Sequence, residues 1–349
     1  MFAGPTDAAA AAALLAEMAG APCAFAPVPM DRPLALYGGG SLGRLAREFL
    51  TAVGRDFALV VDRNAGALAQ DPYWSGVRLL HPDEVRGRVK REARLAVSIV
   101  TSAFVPLESS LRALGFDDVV PFYDLAESFR AVHPLSNGWF APALKADETE
   151  RTSEVLTRWD DDMSRAHHLQ FVAWRRLREE WTFADAPVTI GDRFFIPEVT
   201  DVLTDREVFV DAGAHRGSVI DAFLARTDGA FRTIAAIEPD AANRAVLAQH
   251  LAGRPDTTIY DCALAEGDGE ATFHEGLGYA SQLSPTGKMR VATRPLDALG
   301  LAPSFIKFHL EGGELAALQG ARATLLTHRP IVAATVYHNA DGIWRTPRW

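Results

Sequence analysis

Cysteine is nearly missing: the 349 residues include only Cys23 and Cys262. Two thiols so far apart make neither a disulfide framework nor a zinc site, which points to a reducing compartment. Long apolar runs are missing too. Nothing approaches the roughly 20 consecutive apolar residues of a membrane span. The opening Asp7-Ala-Ala-Ala-Ala-Ala-Ala-Leu-Leu-Ala-Glu17 lacks the basic start of a secretion signal and is bounded by acids, so residues 1–30 read as an alanine-rich N-terminal helix. Positive charge is scarce, with 35 Lys and Arg against 45 Asp and Glu for a net −10. That balance argues against a nucleic-acid partner, which would call for a basic face. The cytoplasm is the expected location.

The chain is long enough for two domains, each with its own core. Over residues 31–130, apolar runs at Leu34-Ala-Leu-Tyr37, Phe57-Ala-Leu-Val-Val61 and Leu95-Ala-Val-Ser-Ile-Val100 alternate with helix-like stretches. This predicts a small Rossmann-like parallel sheet. Its first turn, Gly38-Gly-Gly-Ser-Leu-Gly43, opens a helix, and Asp62 closes the next strand. Gly38, Gly40, Gly43 and Asp62 thus fit a dinucleotide fingerprint and define a second candidate nucleotide site. Such turns also occur in doubly wound sheets that bind nothing. Residues 131–200 are charged, poor in glycine over 147–181, and predict a helical linker. Within it His167 and His168 are neighbours; on a helix they face different ways, so a shared metal is not expected.

From residue 201 to 349 the strand signals return at 208–210, 233–237, 258–260, 305–308 and 331–336, with helical stretches at 217–226, 240–252 and 313–327. This is a second doubly wound parallel sheet, giving an α/β protein of two Rossmann-like domains. The first strand runs into Asp211-Ala-Gly-Ala-His-Arg-Gly217, and Glu238-Pro239 ends the next apolar run. With Gly213 and Gly217 four apart, the turn is looser than one that cradles a pyrophosphate. It suits a nucleoside cofactor without phosphate, S-adenosylmethionine, with Asp211 and the turn facing its amino-acid end and Glu238 accepting from both ribose hydroxyls. Asp261, Cys262 and Ala263 follow the third strand and would frame the adenine. After the fourth strand, Lys307, His309 and Glu311 alternate to one side, and Gly312-Gly313 turns the chain into Glu314. One of these groups, or His338 at the end of the last strand, would take a proton from a hydroxyl. Capping for Glu314, ion pairing for Lys307 and a structural role for His338 are the plain alternatives. Gly276 to Ser284 reads as a cover over the cofactor.

Val208 to Gly217, Glu238-Pro239 with Asn243, Cys262 to Leu264, Ala280-Ser281, Pro295 to Asp297, Ile306-Lys307, Glu311-Gly-Gly-Glu314, Arg329-Pro330 and Tyr337-His338 recur in one order. Together they resemble the FkbM family of methyltransferases over about residues 190–344. The resemblance implies a class I methyltransferase fold, S-adenosylmethionine as cofactor, and methylation of hydroxyls on sugars, glycans or polyketide-type products. It implies that Asp211, Gly213, Ala214, His215, Gly217, Glu238, Pro239, Asp261, Cys262 and Ala263 hold the cofactor. The loop carrying His309, Glu311 and Glu314 would face a small-molecule or glycan acceptor. Two departures stand out. His309 replaces the family's usual aspartate and is a poor ligand for magnesium, so no metal is expected. The chain also stops at Trp349, short of the family's final strands, so an open edge is expected that a second copy or the N-terminal domain would cover. The leading expectation is an O-methyltransferase. The alternatives are a non-catalytic scaffold with a degenerate methyltransferase fold, and an enzyme using NAD or a nucleotide sugar at the N-terminal domain.

Overall fold

The computed structural model describes residues 2, 4, 6–22, 27–133, 135, 143–189, 191, 193–275 and 281–349. Two compact units meet between Pro187 and Val188.

In the first unit, β1 (Leu34–Tyr37), β2 (Leu59–Val61), β3 (Leu79–Leu80), β4 (Arg94–Val97) and β5 (Asp118–Pro121) form one parallel sheet, ordered β3-β2-β1-β4-β5. Strands this apolar need cover on both faces. Leu59, Val61, Leu95 and Val97 accordingly pack with Val85, Leu111 and Phe116 in a buried cluster. Asp7 caps the helix Ala8–Gly20 by accepting from the Ala10 amide at 2.8 Å, satisfying one of the free donors at a helix start. That helix packs on Ala146–Arg158 and Asp162–Leu177, the two helices of the expected linker. These helices are part of the first unit rather than a connection standing apart from it.

The second unit is built on β6 (Val208–Ala212), β7 (Thr233–Ile237), β8 (Thr257–Tyr260), β13 (Phe305–Phe308) and β14 (Ile331–Ala334), all parallel in the order β14-β13-β6-β7-β8. Phe209 on β6 stacks on Phe305 of β13 and on Phe223, with ring centroids 5.0 and 4.6 Å apart. Ile306 and Phe308 point into the cluster with Val210, Ile237 and Leu296. The alternation thus feeds two cores, one on each face. Sequence order turns around between β6 and β13, and such a switch point opens a crevice at the strands' carboxyl ends. Between β8 and β13 lies a small mixed sheet of β9 (Ala263–Leu264), β10 (Gly269–His274), β11 (Gln282–Leu283) and β12 (Met289–Arg294). It was not foreseen, because its strands are short or half-exposed and carry charged residues such as Glu270 and Arg290. No helix among the described residues is long and apolar enough to cross a membrane.

Candidate functional site

The crevice is a solvent-open cleft at the ends of β6, β7 and β13. Two glycine turns form its floor. Gly213 has φ +80°, and a Cβ there would sit 2.0 Å from the carbonyl oxygen of His309. Only glycine lets the turn after β6 close so tightly on the loop after β13. His215 and Glu311, one on each turn, take left-handed backbone conformations with φ +51°. For non-glycine residues this is uncommon and costs on the order of 1 kcal/mol.

Beneath the turns lies a buried ion pair. Asp211 and Lys307 are register neighbours on β6 and β13, with side chains 0% and 1% exposed. The Lys307 ammonium donates to Asp211 Oδ1 at 2.8 Å, to the Gly213 carbonyl at 2.8 Å and to the Ala212 carbonyl at 3.2 Å. All three of its donors are engaged, so Lys307 fixes the turn and Asp211 rather than presenting a free cation. Asp211 lies under the turn and not on the cleft wall.

Glu238 is on the wall. Its oxygens accept from the backbone amides of His215 at 2.8 Å and Asp240 at 2.9 Å, which leaves further lone pairs for a ligand's hydroxyls. Burial raises its pKa, against the lowering effect of those two amides. Asp240 caps the helix Ala241–His250 and accepts from the Ser281 hydroxyl at 2.8 Å, which ties the segment before β11 to the rim. Pro239, Cys262 and Ala263 line the wall with Ile237, Leu264 and Phe273. The Cys262 thiol is pushed up by burial. Asp261 is placed differently: its carboxylate is 70% exposed and pairs with Arg244 at 2.7 Å, off the cleft wall. Gly217, at φ +95°, turns the chain into the helix Ser218–Arg226 behind the site.

At the other end of the cleft the strand alternation expected for His309 and Glu311 does not hold. The strand ends at Phe308, and the left-handed turn at Glu311 and Gly312 folds the carboxylate back. His309 Nε2 and His338 Nε2 lie 3.1 and 3.4 Å from Glu311 Oε1. His338 Nδ1 is 2.6 Å from Glu314 Oε1. Glu314 does more than start its helix: it accepts from the amides of Leu310 at 2.9 Å and Gly312 at 3.0 Å, and from the Thr335 hydroxyl at 2.8 Å. Burial alone would depress His338, but the charges of Glu311 and Glu314 outweigh it and hold the ring up at about 9. Burial would raise Glu311, yet His338 and His309 pull it down to about 2. Burial pushes His309 down to about 4 despite Glu311, so at neutral pH this imidazole is uncharged, with a proton on one nitrogen and a lone pair on the other. His309 and Glu311 line the cleft, with Glu314 and His338 behind them. Although no metal was expected here, ligand atoms of His309, Glu311 and His338 all lie within 4.8 Å of one another.

Arg193 and Phe194 complete this end. The guanidinium reaches the Tyr337 hydroxyl and comes within 3.3 Å of His309 Nε2. Burial raises the Tyr337 hydroxyl to about 12. Neither Arg193 nor Phe194 was legible as a site residue, since both precede the first strand of the unit. Of the expected cover, residues 276–280 lie outside the described residues, whereas Ser281, Gln282 and Leu283 line the cleft.

In the first unit, Gly38 and Gly43 pack at the end of β1, where a Cβ on Gly43 would lie 2.1 Å from the Gly38 carbonyl oxygen. The Asp62 oxygens accept from the amides of Gly39 and Asn64, both at 2.7 Å. Trp74 donates its indole N–H to the Gly39 carbonyl at 3.1 Å, and a Cβ on Gly39 would strike Leu68 at 2.4 Å. Gly40 has open space beside it. The fingerprint's acid and part of its turn are therefore engaged within the protein.

Residues 211–347 match the family model of the methyltransferase FkbM domain. The chain is similar in structure to methyltransferase FkbM from Methylobacillus flagellatus KT, with a TM-score of 0.63 and 19% sequence identity over 98% of this chain and 93% of that one. No curated protein matches it in sequence.

Proposed function

We propose that the FkbM-type methyltransferase domain of this chain transfers a methyl group from S-adenosylmethionine to a hydroxyl of a sugar, glycan precursor or related natural product. The observation that carries this reading is that one cleft joins a nucleoside-type wall to a proton-handling cluster. Glu238 offers two acceptor oxygens on that wall, and Ile237, Pro239 and Leu264 offer an apolar surface for a purine. Among the lining residues, Lys307 is neutralised by Asp211 and Arg193 lies at the far end. That is a poor cradle for a pyrophosphate and a fitting one for an adenosyl group. His215 Nε2 is buried without a hydrogen-bond partner, an open polar contact for such a ligand.

When bound, S-adenosylmethionine supplies an electrophilic methyl group. Glu238 would hold the ribose, and the turn from Gly213 to His215 would seat the amino-acid end. His309 and Glu311 would orient the acceptor hydroxyl, and this cluster would receive its proton. Alignment of the acceptor oxygen with the methyl accounts for much of the rate.

The test is calorimetric titration of the full chain with S-adenosylhomocysteine. Wild type is expected to bind one equivalent and Glu238→Ala none, with circular dichroism confirming that the variant is folded. Equal binding by the two proteins would refute the assignment. Tritiated methyl transfer to a panel of sugars and nucleotide sugars then identifies the acceptor.

A further inference from the structure

We propose that His309, Glu311 and His338 form a site for one divalent transition-metal ion of zinc-like character at the acceptor end of the cleft. The distances fit. His309 Nε2 and His338 Nε2 stand 3.1 and 3.4 Å from Glu311 Oε1, and the three ligand atoms span no more than 4.8 Å. Ligands bound at about 2.0–2.1 Å around a tetrahedral ion are roughly 3.3–3.5 Å apart. Small side-chain rotations close the remaining gap.

Two further observations point to a cation. Glu311 Oε2 is buried with no hydrogen-bond partner among the described residues, and leaving a buried acceptor unsatisfied is costly unless something occupies it. The His338 ring is oriented from behind: Glu314 Oε1 lies 2.6 Å from Nδ1, with Thr335 in the same network. A carboxylate behind a ligating histidine is the usual way to aim its other nitrogen at a metal.

Charge and softness define the ion. His338 stands between Glu311 and Glu314 and gives up its Nε2 proton when the ion binds, which leaves two carboxylates and two neutral imidazoles around the ion, while Lys307 is already neutralised by Asp211. Two imidazoles and one carboxylate suit zinc, iron(II) or cobalt(II), whereas magnesium prefers an all-oxygen set. His309 and Glu311 line the cleft, so the ion keeps a face open to a small ligand. If the methyltransferase reading holds, that ligand would be the acceptor oxygen, acidified by the ion and releasing its proton to solvent at the open cleft, and His309 would act as a ligand instead of a base.

The test titrates chelator-stripped full-length protein with Co2+, followed by visible d–d absorption and equilibrium dialysis. One ion per chain is expected, displaced by Zn2+. His309→Ala and Glu311→Gln should each weaken binding at least about tenfold, and Glu314→Gln by roughly 10–100-fold. His250→Ala, remote from the cluster, should bind as wild type does. Should the alanine variant misfold, His309→Asp keeps a ligand but exchanges nitrogen for oxygen, and should move preference at least about tenfold from Zn2+ toward Mn2+. Absence of saturable Co2+ uptake, or wild-type affinity in both His309→Ala and Glu311→Gln, overturns the site. S-adenosylhomocysteine binding is measured in parallel. Metal uptake without it supports the site and refutes the functional reading; nucleoside binding without metal uptake does the reverse.

Discussion

Replacing Lys307 with methionine is the sharpest test of how the cleft is held. Methionine fills similar space but removes the charge and all three donors. Asp211 would be left fully buried and uncompensated, and the Ala212 and Gly213 carbonyls would lose their side-chain partner. At 2.8 Å and an effective dielectric of 20 the gross attraction is about 6 kcal/mol, set against several kcal/mol to desolvate each ion. Removing one partner of such a pair costs about 3–5 kcal/mol. At about 2–4 °C per kcal/mol, the transition of this unit should fall by roughly 6–20 °C. Asp211→Asn together with Lys307→Met removes the stranded charge and should recover more than half of the loss. The assay is urea and thermal unfolding of wild type, both single variants and the double variant, read as a double-mutant cycle. A Lys307→Met loss below about 1 kcal/mol, or a double variant no better than that single one, would show that the pair does not carry the turn.

Gly213→Ala places a methyl group 2.0 Å from the His309 carbonyl oxygen at φ +80°. It should destabilise the second unit by about 2–4 kcal/mol, seen in the urea midpoint, and should weaken S-adenosylhomocysteine binding along with it. In the first unit, burial pushes His168 down to about 4, and Trp159 donates its indole N–H to Nδ1 at 3.1 Å. The unfolded ring titrates near 6.5, so protons favour the unfolded state below that value. Stability from this group is therefore intact above about pH 6.5 and declines by roughly 3 kcal/mol as the pH falls toward 4. Urea midpoints at several pH values should follow this slope, and His168→Leu should flatten it.

The strands that position the site were legible because they are largely buried and read as apolar runs, interrupted in Val208–Ala212 only by Asp211 and in Phe305–Phe308 only by Lys307. The Met289–Arg294 strand was not, since most of it is exposed or half-buried and its pattern blurs. Gly213 and Glu238 both line the cleft; the tight turn after β6 dictates the glycine, and the acid was legible from its place at the end of an apolar run. Motif position alone did not determine side-chain direction: Asp211 turns inward to Lys307 and Asp261 outward to Arg244. Glu311 reaches His309 through a left-handed turn that no period-two pattern encodes. Arg193 and Phe194 come from before the first strand, and local pattern carries no record of contacts over such a separation.

Glu314 clasps the loop from His309 to Gly313 by two of its amides while anchoring Thr335 and His338. The loop's course is thus set in part by a carboxylate outside it, acting through backbone amides that a change of side chain at 309 leaves in place. Such a loop works as an interchangeable faceplate. Its chemistry can be rewritten at position 309 while the clasp is kept.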